Sequence, residues 1–168
     1  MRRLFIAPVL ALAAVGCSGR GRSAMVGGPD AGGRMVVQRA AGDVSTVVDG
    51  PARASYCAAD SLLLIIGVGL TWSSGFAVRT VLPLAETRAF RIQPSLGELG
   101  TATAVFRPLR VGAAEFGTAG TVSLDPGTGV TGRFDLAVPD SGAEKRSFRG
   151  RWSAIPVRVL AGDSCAKS

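Results

Sequence analysis

Apolar and polar residues alternate with period two through most of residues 43–159, in short runs broken by Gly, Pro and Asp, the pattern of half-buried β-strands separated by turns. The clearest run is VTGRFDLAV at 130–138, where Val130, Phe134, Leu136 and Val138 share one face with Gly132 while Thr131, Arg133 and Asp135 share the other. Before it, GTVSL at 120–124 turns Val122 and Leu124 inward. The intervening DPGTG supplies Pro for a preset φ and Gly for a positive one, so the two strands form a hairpin. After it, SFRGRWSAIPV at 147–157 sets Phe148, Trp152 and Ala154 against Arg149, Arg151 and Ser153, beyond a polar loop PDSGAEKR. Keeping both apolar sets on one face requires an even register sum, and the expected pairs are Val138 with Phe148, Phe134 with Trp152 and Asp135 with Arg151.

Upstream, SLLLIIGVGL at 61–70 is apolar on both faces, which suits a central strand covered twice or a strand passing from core to interface. ARASYCA at 52–58, SGFAVRTVLPL at 74–84, RAFRIQP at 88–94 and TATAVFRPL at 101–109 add further strands, with Pro83 ending the pairing of its own. No helical spacing persists beyond about two turns. The expectation is an all-β domain of about eight antiparallel strands in a meander, closing as a β-sandwich or small barrel. The last three strands look like the C-terminal half of small bacterial lipoprotein domains of unknown function, a likeness of strand spacing that implies β architecture and no activity.

The N-terminus follows different rules. Arg2 and Arg3 precede an apolar stretch from Leu4 to Val15, and small residues lead to Cys17, the layout of an export signal. The stretch is shorter than the roughly 20 apolar residues a membrane-spanning helix needs. Ala14-Val15-Gly16-Cys17 resembles the lipobox of a bacterial lipoprotein precursor, with Ala in place of the commoner Leu. The resemblance implies diacylglycerol on the Cys17 thiol, cleavage before it and acylation of the new amino terminus, giving anchorage in the cell envelope. Ser18, not Asp, implies the outer membrane in a double-membraned source. The competing reading is an ordinary secreted protein cleaved nearby. The expected division is a signal peptide at 1–16, a lipidated Cys and Gly-rich flexible tether at 17–42, and the β domain at 43–168, with MVVQ at 35–38 a candidate edge strand.

Without residues 1–16, 17 basic residues face 12 acidic ones, a formal charge of +5. The basic residues are scattered singly and lack interleaved aromatics, which argues against nucleic-acid binding and leaves anionic lipid or envelope polysaccharide as candidate contacts, alongside an envelope protein. If Cys17 is lipidated, Cys57 and Cys165 are the remaining thiols, and an exported location permits them to pair; two separate thiols are the alternative.

The chain has no histidine, which removes Ser-His-Asp and Cys-His catalysis and the commonest transition-metal ligand. Neither Lys145 nor Lys167 sits in a Ser-x-x-Lys context. Asp60, Glu86, Glu98, Glu115, Asp125, Asp135, Asp140 and Glu144 are dispersed, and no pair is marked out for glycoside hydrolysis. DPGTG and PDSG lack the alternating acids of a calcium loop, so no cofactor or metal is expected. Trp72 is the candidate exposed ring for ligand contact and Trp152 a core residue; Arg133, Arg149 and Arg151 form a candidate surface patch tempered by Asp135. The expected function is a noncatalytic, membrane-anchored binding or structural domain. A small-barrel carrier of an apolar ligand is the first alternative and a carboxylate hydrolase the second.

Overall fold

The computed structural model describes residues 33–108, 114–138 and 146–161. The signal at 1–16, Cys17, the 17–32 stretch, most of the PDSGAEKR loop and Cys165 lie outside the described residues. Eleven strands follow in order: β1 Gly33–Ala41, β2 Val44–Cys57, β3 Leu62–Val68, β4 Trp72–Arg79, β5 Arg88–Ile92, β6 Thr101–Pro108, β7 Glu115–Phe116, β8 Ala119–Asp125, β9 Val130–Val138, β10 Arg146–Ile155 and β11 Val157–Leu160. Nine close a barrel in the order β1-β10-β9-β8-β5-β6-β4-β3-β2 and back to β1, while β7 adds to β6 and β11 to β2. The all-β expectation holds, and the architecture is the barrel.

The strand order is not a simple meander. β5 lies between β8 and β6, antiparallel to the first and briefly parallel to the second through Arg91–Thr101 and Ile92–Ala102. β11 runs parallel to β2. The first described strand, β1, falls within the expected tether, because RMVVQ alternates. Met35 and Val37 point inward and are buried, and β1 pairs with β10 on one side and β2 on the other. The hairpin from β1 to β2 turns on Gly42 and Asp43, where Gly42 takes a φ of 55° that favours glycine.

Inward residues fill the middle of the barrel with rings. Phe76, Phe134 and Trp152 meet at centroid distances of 4.6 to 5.2 Å, and Phe106 stacks on Phe148 at 4.2 Å. Such contacts contribute about 0.5–1.5 kcal/mol each beyond their burial.

The β9–β10 register differs from the expected one by two residues. Phe148 faces Leu136, Gly150 faces Phe134, Arg149 faces Asp135 and Trp152 faces Gly132. The even sum is kept, so the faces are right, but Phe134 and Trp152 each lie opposite a glycine instead of opposite one another. Space explains it: a Cβ on Gly150 would collide with the Phe134 ring, and one on Gly132 would approach Trp152 Nε1 to 2.9 Å. Beyond Trp152 the ladder shifts, Ala154 takes a φ of 49° and faces solvent, and Ile155 takes the core position expected of Ala154.

Candidate functional site

At one mouth of the barrel a pocket of about 340 Å³ opens to solvent. Its floor is made by Tyr56, Leu63, Leu124 and Val130, and its walls by the loop at 82–84, the turn at 127–129 and Val157 and Val159 of β11. The lining is mainly apolar, the composition expected of a site for a small ligand.

Two polar ties hold the loop between β4 and β5 over this floor. The buried Tyr56 hydroxyl donates to the Thr80 carbonyl oxygen and accepts from the Leu82 N–H, both at 3.3 Å. Farther along, Thr87 Oγ1 donates to Asp125 at 2.9 Å, joining the loop's far end to β8. Leu82 and Leu84 pack against the core between those ties, with a cis Leu82–Pro83 peptide linking them. None of this was signalled locally: Pro83 read only as a strand terminator, and DPGTG only as a turn. Among the described residues, Asp125 is the one carboxylate in the pocket lining.

The expected site residues fall in other places. Trp72 is not an exposed ring; it is 9% exposed and belongs to the core at the opposite mouth, where it fills the space beside Gly69. Arg133, Arg149 and Arg151 do share an outer face. Arg133 lies opposite Arg151, and Arg149 bridges Asp135 at 2.9 Å, both side chains largely exposed. Nearby, Arg34 and Asp49 form a bidentate pair; hydrogen bonding to the guanidinium holds the Asp49 carboxyl below the usual range and raises Arg34 in turn.

Cys57 is buried at the end of β2, and Leu160 of β11 is its register partner. The chain therefore leaves the described residues beside Cys57, five residues before Cys165.

The second apolar face of β3 points outward. Leu62, Leu64 and Ile66 are half-buried there, and a row from Ile66 through Gly75 and Val105 reaches the exposed Phe116. Across the barrel the outward positions are Arg133, Asp135, Arg149 and Arg151, which interrupt the continuous apolar band of a membrane-spanning barrel. Among the described residues no helix is long and apolar enough to cross a membrane, and no group of His, Cys, Asp and Glu is placed to hold a metal ion.

One charged cluster had no signature in the sequence. Glu115 of β7 receives Arg39 at 3.3 Å and Arg146 at 3.2 Å, joining three strands far apart in the chain, while Arg39 also lies 5.9 Å from the centre of the Phe148 ring. The one carboxylate balances one of the two guanidinium charges, at the opposite mouth from the pocket. No protein-family model, curated protein or solved structure matches this chain.

Proposed function

We propose that the protein is a lipid-anchored component of the cell envelope whose barrel is a noncatalytic binding module, with the mouth pocket as the site for an apolar ligand. The pocket carries this reading: it is concave and mostly apolar, its volume lies in the range usual for small-molecule sites, and its loop is pinned at both ends. Because aromatic rings fill the barrel's middle, the ligand rests in the mouth and not in an enclosed interior. Among the described residues the lining holds one acid, Asp125, where a two-carboxylate hydrolase needs a pair. The anchoring part rests on the resemblance at Ala14 to Cys17.

The apolar fluorophore N-phenyl-1-naphthylamine tests the pocket directly. Full-length protein extracted from membranes should enhance its emission saturably, and Leu84→Trp, which fills the pocket, should weaken binding at least tenfold while far-ultraviolet circular dichroism stays unchanged. Equal binding by the variant would move the site elsewhere. Mass spectrometry of the mature N-terminus tests the anchor: an unacylated Cys17 would remove it.

A further inference from the structure

We infer that the pocket faces the membrane and takes an acyl chain of a bilayer lipid; this rests on the reading above and adds the ligand class and its source. The orientation follows from where the chain enters the barrel. A Cβ on Gly33, the first residue of β1, would lie 2.6–2.8 Å from Ile155, and one on Gly129 would lie 2.8 Å from the Ile155 carbonyl oxygen. Gly129, Val130 and Val157 line the pocket. The segment leading back to Cys17 thus departs from the pocket's own rim.

That segment has sixteen residues, 17–32, seven of them glycine or alanine. Fully extended it reaches at most about 55 Å, and a Gly-rich chain of this length has a root-mean-square span of about 20–25 Å. A lipid on Cys17 therefore holds this mouth close to the bilayer surface. The opposite mouth, with Leu70 at the turn from β3 to β4, is set back by the length of β3, roughly 20 Å.

Exposed apolar side chains occur at both mouths, Val81, Leu99 and Val159 at this one and Val44, Val47 and Leu70 at the other; what distinguishes this end is that its exposed Val159 also lines the pocket. For an apolar occupant from outside the chain, the nearest concentrated source is the leaflet in which the anchor sits.

Site-specific photocrosslinking in native membranes tests this with the full lipidated chain. p-Benzoylphenylalanine is placed at Thr128 on the pocket turn, at the exposed Val159 on the pocket rim and at Leu70 on the far mouth, and adducts are weighed by mass spectrometry. The expected result is phospholipid adducts at Thr128 and Val159 at least fivefold more abundant than at Leu70. Adducts equal at both mouths, or richer at Leu70, would overturn the orientation. Free fatty acid as the main adduct would overturn the bilayer-lipid source, and a crosslink to the chain's own acylated N-terminus would show the anchor itself as occupant and overturn it too. Fluorophore binding that Leu84→Trp abolishes, together with no lipid adduct, would sink this inference while the pocket reading stands; loss of both signals would sink both.

Discussion

Trp152 of β10 lies directly opposite Gly132 of β9, and its indole edge occupies the space a side chain at 132 would need. The pairing has a counterpart two steps along the same ladder, where Phe134 covers Gly150. The two rings are stacked at 5.2 Å, so each glycine makes room for one half of the central aromatic pair.

Gly132→Ala should therefore destabilise the barrel by roughly 1–3 kcal/mol through overpacking. A Cβ there meets the Ser123 carbonyl as well as Trp152, so repacking one side chain cannot relieve it. Chemical denaturation measures the change. Since the Trp152 indole N–H is buried without an acceptor, Trp152→Phe should cost less than its lost volume suggests, and the double variant should recover part of the Gly132→Ala loss.

Tyr56→Phe keeps the ring and removes the hydroxyl that ties Thr80 and Leu82 to β2. Leaving those backbone groups unpaired should cost about 1–3 kcal/mol. Fluorophore affinity should fall several-fold because the loop at 82–84 forms a pocket wall. A variant that loses stability and keeps full affinity would show that the tie serves only the fold.

A Cys57–Cys165 bridge would close a loop of about 100 residues, for which the chain-entropy model gives up to roughly 4.7 kcal/mol. Leu160 lies beside Cys57, five residues before Cys165 in the sequence. Oxidised protein should show a mass 2 Da below the reduced form, a difference set by the two lost hydrogens, and both reduction and Cys165→Ser should lower the unfolding midpoint equally. If reduction lowers the midpoint while Cys165→Ser does not, the bridge involves another residue.

Stability should be nearly flat between about pH 6 and 8, because no histidine titrates there. The Asp49 carboxyl is held low in the folded state, so its contribution is present above the ordinary carboxylate range and lost as pH falls through the folded value. The pair is exposed and the effect small. Unfolding midpoints against pH should decline on the acid side, and Asp49→Asn should flatten part of that decline without touching the plateau.

The alternation in β9 was legible to the residue because both its neighbours and its solvent face act on one short segment. The same period placed Arg133, Arg149 and Arg151 outward and Trp152 inward. Register was not legible: pairing by ring affinity favoured Phe134 with Trp152, whereas the volume left by Gly132 and Gly150 decides it. Trp72 misled because its neighbours read as a turn, yet its ring is drawn into the core beside Gly69. β1 was visible only as a candidate edge strand at 35–38, because it lies among glycines and offers only Met35 and Val37 as large residues to the core; strands paired on both sides make it part of the barrel wall. The pocket and the Arg39–Glu115–Arg146 cluster join residues separated by most of the chain, and no local pattern carries such a meeting.

Because β1 pairs with β10, the first described strand has a complete set of partners only after residue 153 has emerged. A growing or partly exported chain can form the β1–β2 hairpin and the β2-β3-β4 ladder early, but the circle stays open until nearly all of it is present. Closure is a long-range event of the kind that slows folding. A chain threaded through a membrane from its N-terminus would thus remain unclosed during passage and seal itself on the far side.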